Sequence, residues 1–176
     1  YTSNDFGEQF TNISFSKVVM GKVDTLADLN SEFYHSKNAL TNAGYIGQCT
    51  WYAYGRALET TGKKMPTGNA QTWLSSAVAM GYETGTEPSK NAVAVLSGGN
   101  YGHVAFVEEY TQDKLVISEG NIGNPCSKAS ANCSQKEYAN QHFAELVRTT
   151  TYSSFKAYQD YNTKIGYKVI GFIYLV

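Results

Sequence analysis

The spacing of the apolar residues changes once along this chain, and no other feature constrains the fold as tightly. As far as Gly81 they recur at helical spacing; from Ala92 to Glu119 they recur at a spacing of two. Val23, Leu26, Leu29 and Phe33, with Asp24 as a cap, predict an amphipathic helix over 24–39. Cys49 to Thr60 predicts a second helix ended by Gly62, and Ala70 to Met80 a third stopped by Gly81. Ala92–Leu96, His103–Glu109 and Leu115–Glu119 read as strands, joined by Ser97-Gly98-Gly99-Asn100 and by Thr111-Gln112-Asp113. Residues 124–164 form a long polar excursion with a short helix near Tyr138–Val147, and Val169–Leu175 closes the chain as a buried strand. Near the start, Phe10–Ile13–Phe15 alternates weakly, as an edge strand would. Helices first and strands afterwards predict an α+β fold, with the helices packed on a mostly antiparallel sheet.

At 176 residues the chain is long enough for one domain with a substantial core. Charged residues make up only 16% and aromatics 14%, which excludes a disordered chain. A net charge of −1 argues against nucleic acid as a partner, because that binding depends on Lys and Arg against phosphate. No run of 18 apolar residues occurs, so no membrane insertion is expected. The sequence begins at Tyr1 and shows no basic-then-apolar leader, which reads as a mature or excised part of a longer parent chain.

The three cysteines divide into two and one. Cys126 and Cys133 share a polar loop, where they are either a short disulfide of an oxidising compartment or two unpaired thiols. No spacing suited to zinc is present, and neither a metal nor an organic cofactor is expected. Cys49 stands apart, at the first turn of a predicted helix. There the free N–H groups and the helix dipole favour a thiolate. It is either a buried structural cysteine or a nucleophile. Gly47 and the amide of Gln48 add to the second reading, since the Cys49 N–H and the Gln48 side chain together suit an oxyanion.

A nucleophilic thiol needs a base. His35 and His142 read as surface residues, whereas His103 opens a strand after Tyr101-Gly102, where a side chain can enter a cleft. With Thr111 at the centre of the hairpin, Glu119 falls directly opposite His103, and Asn121 follows on the same face if the strand continues. An acidic neighbour fixes the imidazole tautomer and supports its charged form. Glu108 and Glu109 read as solvent-facing or as strand-end residues. Trp51 and Tyr54 read as core, and Trp73 and Tyr101 as cleft walls that stack on substrate.

Four segments carry a resemblance to a known family. Gly47-Gln48-Cys49-Thr50-Trp51-Tyr52-Ala53, Gly68-Asn69-Ala70-Gln71-Thr72-Trp73, Tyr101-Gly102-His103-Val104-Ala105-Phe106-Val107-Glu108 and Ser118-Glu119-Gly120-Asn121 resemble CHAP domains in order and spacing. These are the cysteine- and histidine-dependent amidohydrolase/peptidases of bacterial cell-wall enzymes and phage endolysins. The resemblance spans about Tyr45–Ile122 and the closing strand. It implies a papain-like fold, with Cys49 as nucleophile, His103 as base, Glu119 orienting the imidazole and Asn121 as a fourth polar residue beside it. The expected division is an N-terminal extension over 1–40 and a catalytic domain over 41–176, with 124–164 as an insertion.

The implied substrate is bacterial peptidoglycan, cut at an amide bond outside the cell, by a secreted, wall-associated or phage enzyme. Either an N-acetylmuramoyl-L-alanine amidase or an endopeptidase would use this machinery. The contrasting expectation is a non-catalytic wall-binding or secreted interaction module on the same fold. Some phage CHAP domains hold calcium through carboxylates just before the nucleophile. Here residues 41–47 contain no Asp or Glu, so no calcium is expected at that loop.

Overall fold

The computed structural model describes residues 19–21, 27–121 and 135–176, with backbone only for 19–21 and 135–138. Among these residues the strands are β1 (Val19–Gly21), β2 (Glu83–Gly85), β3 (Val93–Ser97), β4 (His103–Tyr110), β5 (Leu115–Glu119), β6 (Arg148–Tyr152) and β7 (Lys168–Tyr174). The helices are α1 (Ala39–Asn42), α2 (Cys49–Thr61), α3 (Trp73–Ala79), α4 (Gln135–His142) and α5 (Phe155–Lys164). The strands form one sheet in the order β1-β6-β5-β4-β3-β7-β2, antiparallel at every pairing. This is the expected α+β class, with helices on an antiparallel sheet.

Alternation along the central strands makes two cores. Val93 and Val95 of β3 and Val104 and Phe106 of β4 face α2, packing with Trp51, Ala53 and Ala57. Ala94 and Leu96, Ala105 and Val107, and Ile117 face the other way, towards Ala157, Tyr158 and Tyr161 of α5. The strands are therefore apolar on both faces, and β3 is a nearly continuous buried run.

Two segments depart from the expected elements. Among the described residues of 24–39 the chain makes a 3-10 turn at Glu32–Tyr34 and then bends, with no long helix. Local side chains take over the backbone there. Asp28 Oδ1 accepts from Asn30 N–H, and Asn38 Oδ1 accepts from Leu40 and Thr41 N–H, starting α1 afresh. Leu29, Tyr34 and Leu40 of this stretch are buried in the α2 core.

The polar excursion of 124–164 holds more regular structure than the one short helix expected. Its second half supplies β6, paired with β5, and α5, which covers the second face. The expected short helix is present as α4, followed by a 3-10 turn at Phe143–Leu146. The expected edge strand at 10–15 and both Cys126 and Cys133 lie outside the described residues.

Candidate active site

Helix α2 begins at Cys49 because Gly47 turns the chain into it. Gly47 has φ +88°, and a Cβ there would lie 2.9 Å from Ala139 of α4, so a side chain is excluded on both counts. Gln48 caps the helix in extended backbone, and its carbonyl accepts from Tyr52 N–H. The half-buried Cys49 thiol therefore stands at the positive end of a 13-residue helix. Burial pushes the thiol up, but the charge and hydrogen bond of His103 and the backbone amides of Val104 and Thr50 outweigh it. The net shift is downward, towards thiolate.

His103 reaches this point from the first position of β4. Gly102 before it has φ +77°, and a Cβ there would sit 2.5 Å from Gln71 and 2.6 Å from the Leu96 carbonyl oxygen, so only glycine passes. His103 Nε2 lies 2.7 Å from Glu119 Oε1, which leaves Nδ1 for the thiol. Burial lowers the basicity of this imidazole, but Cys49 and Glu119 raise it further, and its pKa ends at about 10. Burial alone would push the Glu119 carboxyl up. The Arg148 charge and the His103 contact instead hold it well below the usual carboxylate range.

The register joining these residues differs from the expected one. Phe106 pairs with Ser118 and Val107 with Ile117, while beyond a bulge at Glu108 the pairs become Glu109–Val116 and Tyr110–Leu115. Continued towards His103, this sets Glu119 across from Ala105, diagonal to the histidine rather than directly opposite. The displacement is two residues, and a shift of two keeps the face. That is why the pair still meets. Asn121 does not extend β5: the strand ends at Glu119, and Asn121 takes a left-handed conformation with φ +58°. Its Nδ2 donates to Gln48 Oε1 at 3.2 Å, which ties it to the residue before the thiol.

These groups open onto a cleft of about 800 Å³ whose walls include Tyr45, Asn69, Asn100, Tyr101 and Tyr167. Tyr101 is 64% exposed on its rim. Trp73, expected beside it, is fully buried, and its Nε1 donates to the Gly68 carbonyl at 2.9 Å. It anchors the loop that forms one wall, without forming a wall itself. Trp51 and Tyr54 are buried in the core. His35 is half-buried against the Leu29 carbonyl and the Phe143 ring, and the exposed His142 lies 3.5 Å from Glu145, both away from the cleft.

Sequence reasoning missed two residues of this site. Tyr167, before β7, holds its ring 5.9 Å from that of His103 and carries no pattern that announces it. Arg148 is the other. It opens β6 directly across from Glu119, with Nη2 3.0 Å from Oε2. Its signal was the run Arg148-Thr149-Thr150-Thr151-Tyr152, β-branched and alternating in burial, inside a segment read as a polar excursion.

Comparisons with known proteins place part of the chain beside one family. The profile of the CHAP domain matches residues 40–121. The Staphylococcus epidermidis protein named staphylococcal secretory antigen SsaA is 35% identical over 91 residues, covering 51% of this chain and 35% of that one. N-acetylmuramoyl-L-alanine amidase sle1 of the same species is 40% identical over 78 residues, covering 43% and 24%. The crystal structure of an N-acetylmuramoyl-L-alanine amidase from Staphylococcus aureus superposes with TM-score 0.40 at 28% identity, over 60% of this chain and 30% of that chain. The chain thus spans about a third or less of the length of these relatives. The match to the CHAP profile, over residues 40–121, takes in Cys49, His103, Glu119 and Asn121, so this part of the chain is similar to CHAP domains.

Proposed function

We propose that this chain is a peptidoglycan hydrolase that cleaves an amide bond through a Cys49 thioester. The observation that carries the reading is the alignment at one cleft of a helix-terminal thiol, His103 in hydrogen-bonding reach of it, and a buried carboxylate 2.7 Å behind the imidazole. Structural cysteines lack this combination of lowered thiol, charged partner and open cleft. The name of the amidase relative supports peptidoglycan as substrate and favours the bond between the muramic lactyl group and alanine.

In the first step the thiolate adds to the amide carbonyl carbon, and the carbonyl electron pair moves onto oxygen. The Cys49 N–H and the Gln48 amide, oriented by Asn121, stabilise that oxyanion. The C–N bond then breaks as the His103 imidazolium gives its proton to the departing amine, leaving a thioester. Neutral His103 next takes a proton from water, the hydroxide adds, and the C–S bond breaks to return the thiolate. Glu119 holds the imidazole in the tautomer that presents Nδ1 to sulfur. Tyr101 and Tyr167 offer faces for a sugar or stem peptide. The unit that does this includes β6, which pairs with β5, and α5, which covers the second face of the sheet on which His103 and Glu119 stand.

Mass spectrometry of purified peptidoglycan after digestion tests the reading. Free lactyl groups on muramic acid with new N-terminal alanine identify an amidase, and other new amino termini an endopeptidase. Release of no new termini by the wild-type chain, or equal release by Cys49→Ser, overturns the proposal in favour of a binding module.

A further inference from the structure

We infer that Arg148 is a positioning residue of the site, the fourth member of a charge string that runs from Cys49 through His103 and Glu119. The inference rests on the proposed cysteine chemistry for its functional meaning, but its geometry stands alone. Arg148 lies 27 residues beyond the last position matched by the CHAP profile (148 against 121), on a strand that the four sequence motifs do not include. It is nonetheless the cross-strand neighbour of Glu119 in the β5–β6 ladder, and both side chains are only 5% exposed. The two carboxylate oxygens are divided between two partners, Oε1 to His103 at 2.7 Å and Oε2 to Arg148 at 3.0 Å. An arginine in this place fixes the rotation of the carboxylate, and with it the plane of the imidazole.

The charges decide the direction of its effect. With thiolate, imidazolium, carboxylate and guanidinium all present, the string sums to zero. The other titratable groups that face it are Tyr152 from β6 and Tyr167 ahead of β7; burial raises both phenols, so they add no charge near neutral pH. Without the guanidinium, two outcomes are open to Glu119. If it stays ionised, its uncompensated charge opposes a second anion at sulfur. If it takes a proton, His103 loses its anionic support and holds the thiolate less well. Both routes move thiolate formation at Cys49 to higher pH. A purely structural arginine would lower stability and leave that midpoint alone.

The test reads the thiol without substrate, so it is separate from the hydrolase reading. In the full chain, the rate of iodoacetamide alkylation at Cys49 is followed against pH by peptide mass spectrometry. Arg148→Met should move the midpoint upward by about one unit, a tenfold loss of thiolate at a fixed acidic pH. Arg148→Lys, which keeps the charge, should restore most of it. Arg148→Gln removes the charge with a smaller loss of packing and carries the same test if the Met variant folds poorly. In a Glu119→Gln background, Arg148→Met should move the midpoint much less, because its route to sulfur is gone. An unchanged midpoint in folded Arg148→Met or Arg148→Gln overturns the inference, as does a full shift in the Glu119→Gln background. Failure of the wild-type chain to digest peptidoglycan, with the midpoint shifted in the variants, would overturn the hydrolase reading and leave the charge string standing.

Discussion

Two arginine–glutamate pairs with buried arginines lie on opposite faces of the β4–β5 hairpin, and they are wired to different ends. On the α2 face, Arg56 grips Glu108 through Nε and Nη2 at 2.9 and 2.8 Å and also holds Glu59. Ser118 donates to Glu108, Tyr52 donates to Ser118, and Tyr34 donates to Glu59. Each link returns to α2, to the turn packed on it, or to the strands beneath it, and none of these residues lines the cleft. On the other face Arg148 takes one oxygen of Glu119 and leaves the second to His103. Each arginine side chain is 5% exposed, so burial of the cation does not distinguish the pairs. The spare acceptor does. Glu108 directs its oxygens to groups that hold a helix in place, whereas Glu119 directs one to a group that titrates. His103, at the very end of β4, is where the two faces meet, because the thiol belongs to the helix layer and the carboxylate to the opposite one.

The largest expected effect separates the chemistry from both frameworks. Cys49→Ser should reduce peptidoglycan cleavage on the order of 10³-fold or more while leaving the thermal midpoint near wild type. The half-buried thiol packs at the edge of the α2 core, so the swap removes little contact. A large fall in stability would mean that the helix terminus is a structural joint, and the division between clamp and charge string would collapse.

Arg56→Met comes next and attacks the clamp. Removing one partner of a buried pair leaves the other carboxylates uncompensated, at about 3 kcal/mol or more in chemical denaturation. The alkylation midpoint of Cys49 should stay within experimental error in the folded fraction. If Arg56→Met moves that midpoint as far as Arg148→Met does, the two pairs are not functionally distinct.

Glu119→Gln attacks the string from its centre with a smaller loss of activity. A kcat/KM deficit of about one to two orders of magnitude is expected, below the roughly 10²- to 10⁴-fold range for deleting the base itself. Stability supplies a second readout. The Glu119 carboxyl is held down to about 2 against an ordinary 4.5, so its stabilising contribution is complete above 4.5 and is lost as the pH falls through the lower value. The stability difference between wild type and Glu119→Gln should therefore shrink over that acid range. A pH-independent difference would place the carboxyl outside the Arg148 field.

How much of this was legible follows from where the information lay. Helix α2, β4 and β5 announce themselves through local periodicity, and the His103–Glu119 contact survived a misjudged register because the bulge at Glu108 and a longer turn displaced it by an even number. Glu108, read as solvent-facing or at the strand end, became a clamp residue because its partner Arg56 sits 52 positions away, and no local pattern encodes that. Arg148 was hidden for the same reason: a strand of threonines looks polar until a sheet and α5 bury it from outside. The helix expected over 24–39 failed in the opposite direction. Its apolar spacing was helical, but Asp28 and Asn38 redirected the backbone into turns.

The smallest expected effect belongs to a residue outside both frameworks. The Tyr101 carbonyl accepts from Gln71 N–H, so the backbone of this rim is held while the ring stands 64% exposed. Tyr101→Ala removes an aromatic face and almost no packing. It should raise KM for peptidoglycan fragments severalfold, about 1 kcal/mol of stacking, with kcat little changed. Neither the thermal midpoint nor the alkylation midpoint should move, because the ring belongs to neither arginine pair. A fall in kcat with KM preserved would instead put Tyr101 against the reacting amide, and the boundary between the wall of the cleft and the charge string would have to be redrawn around it.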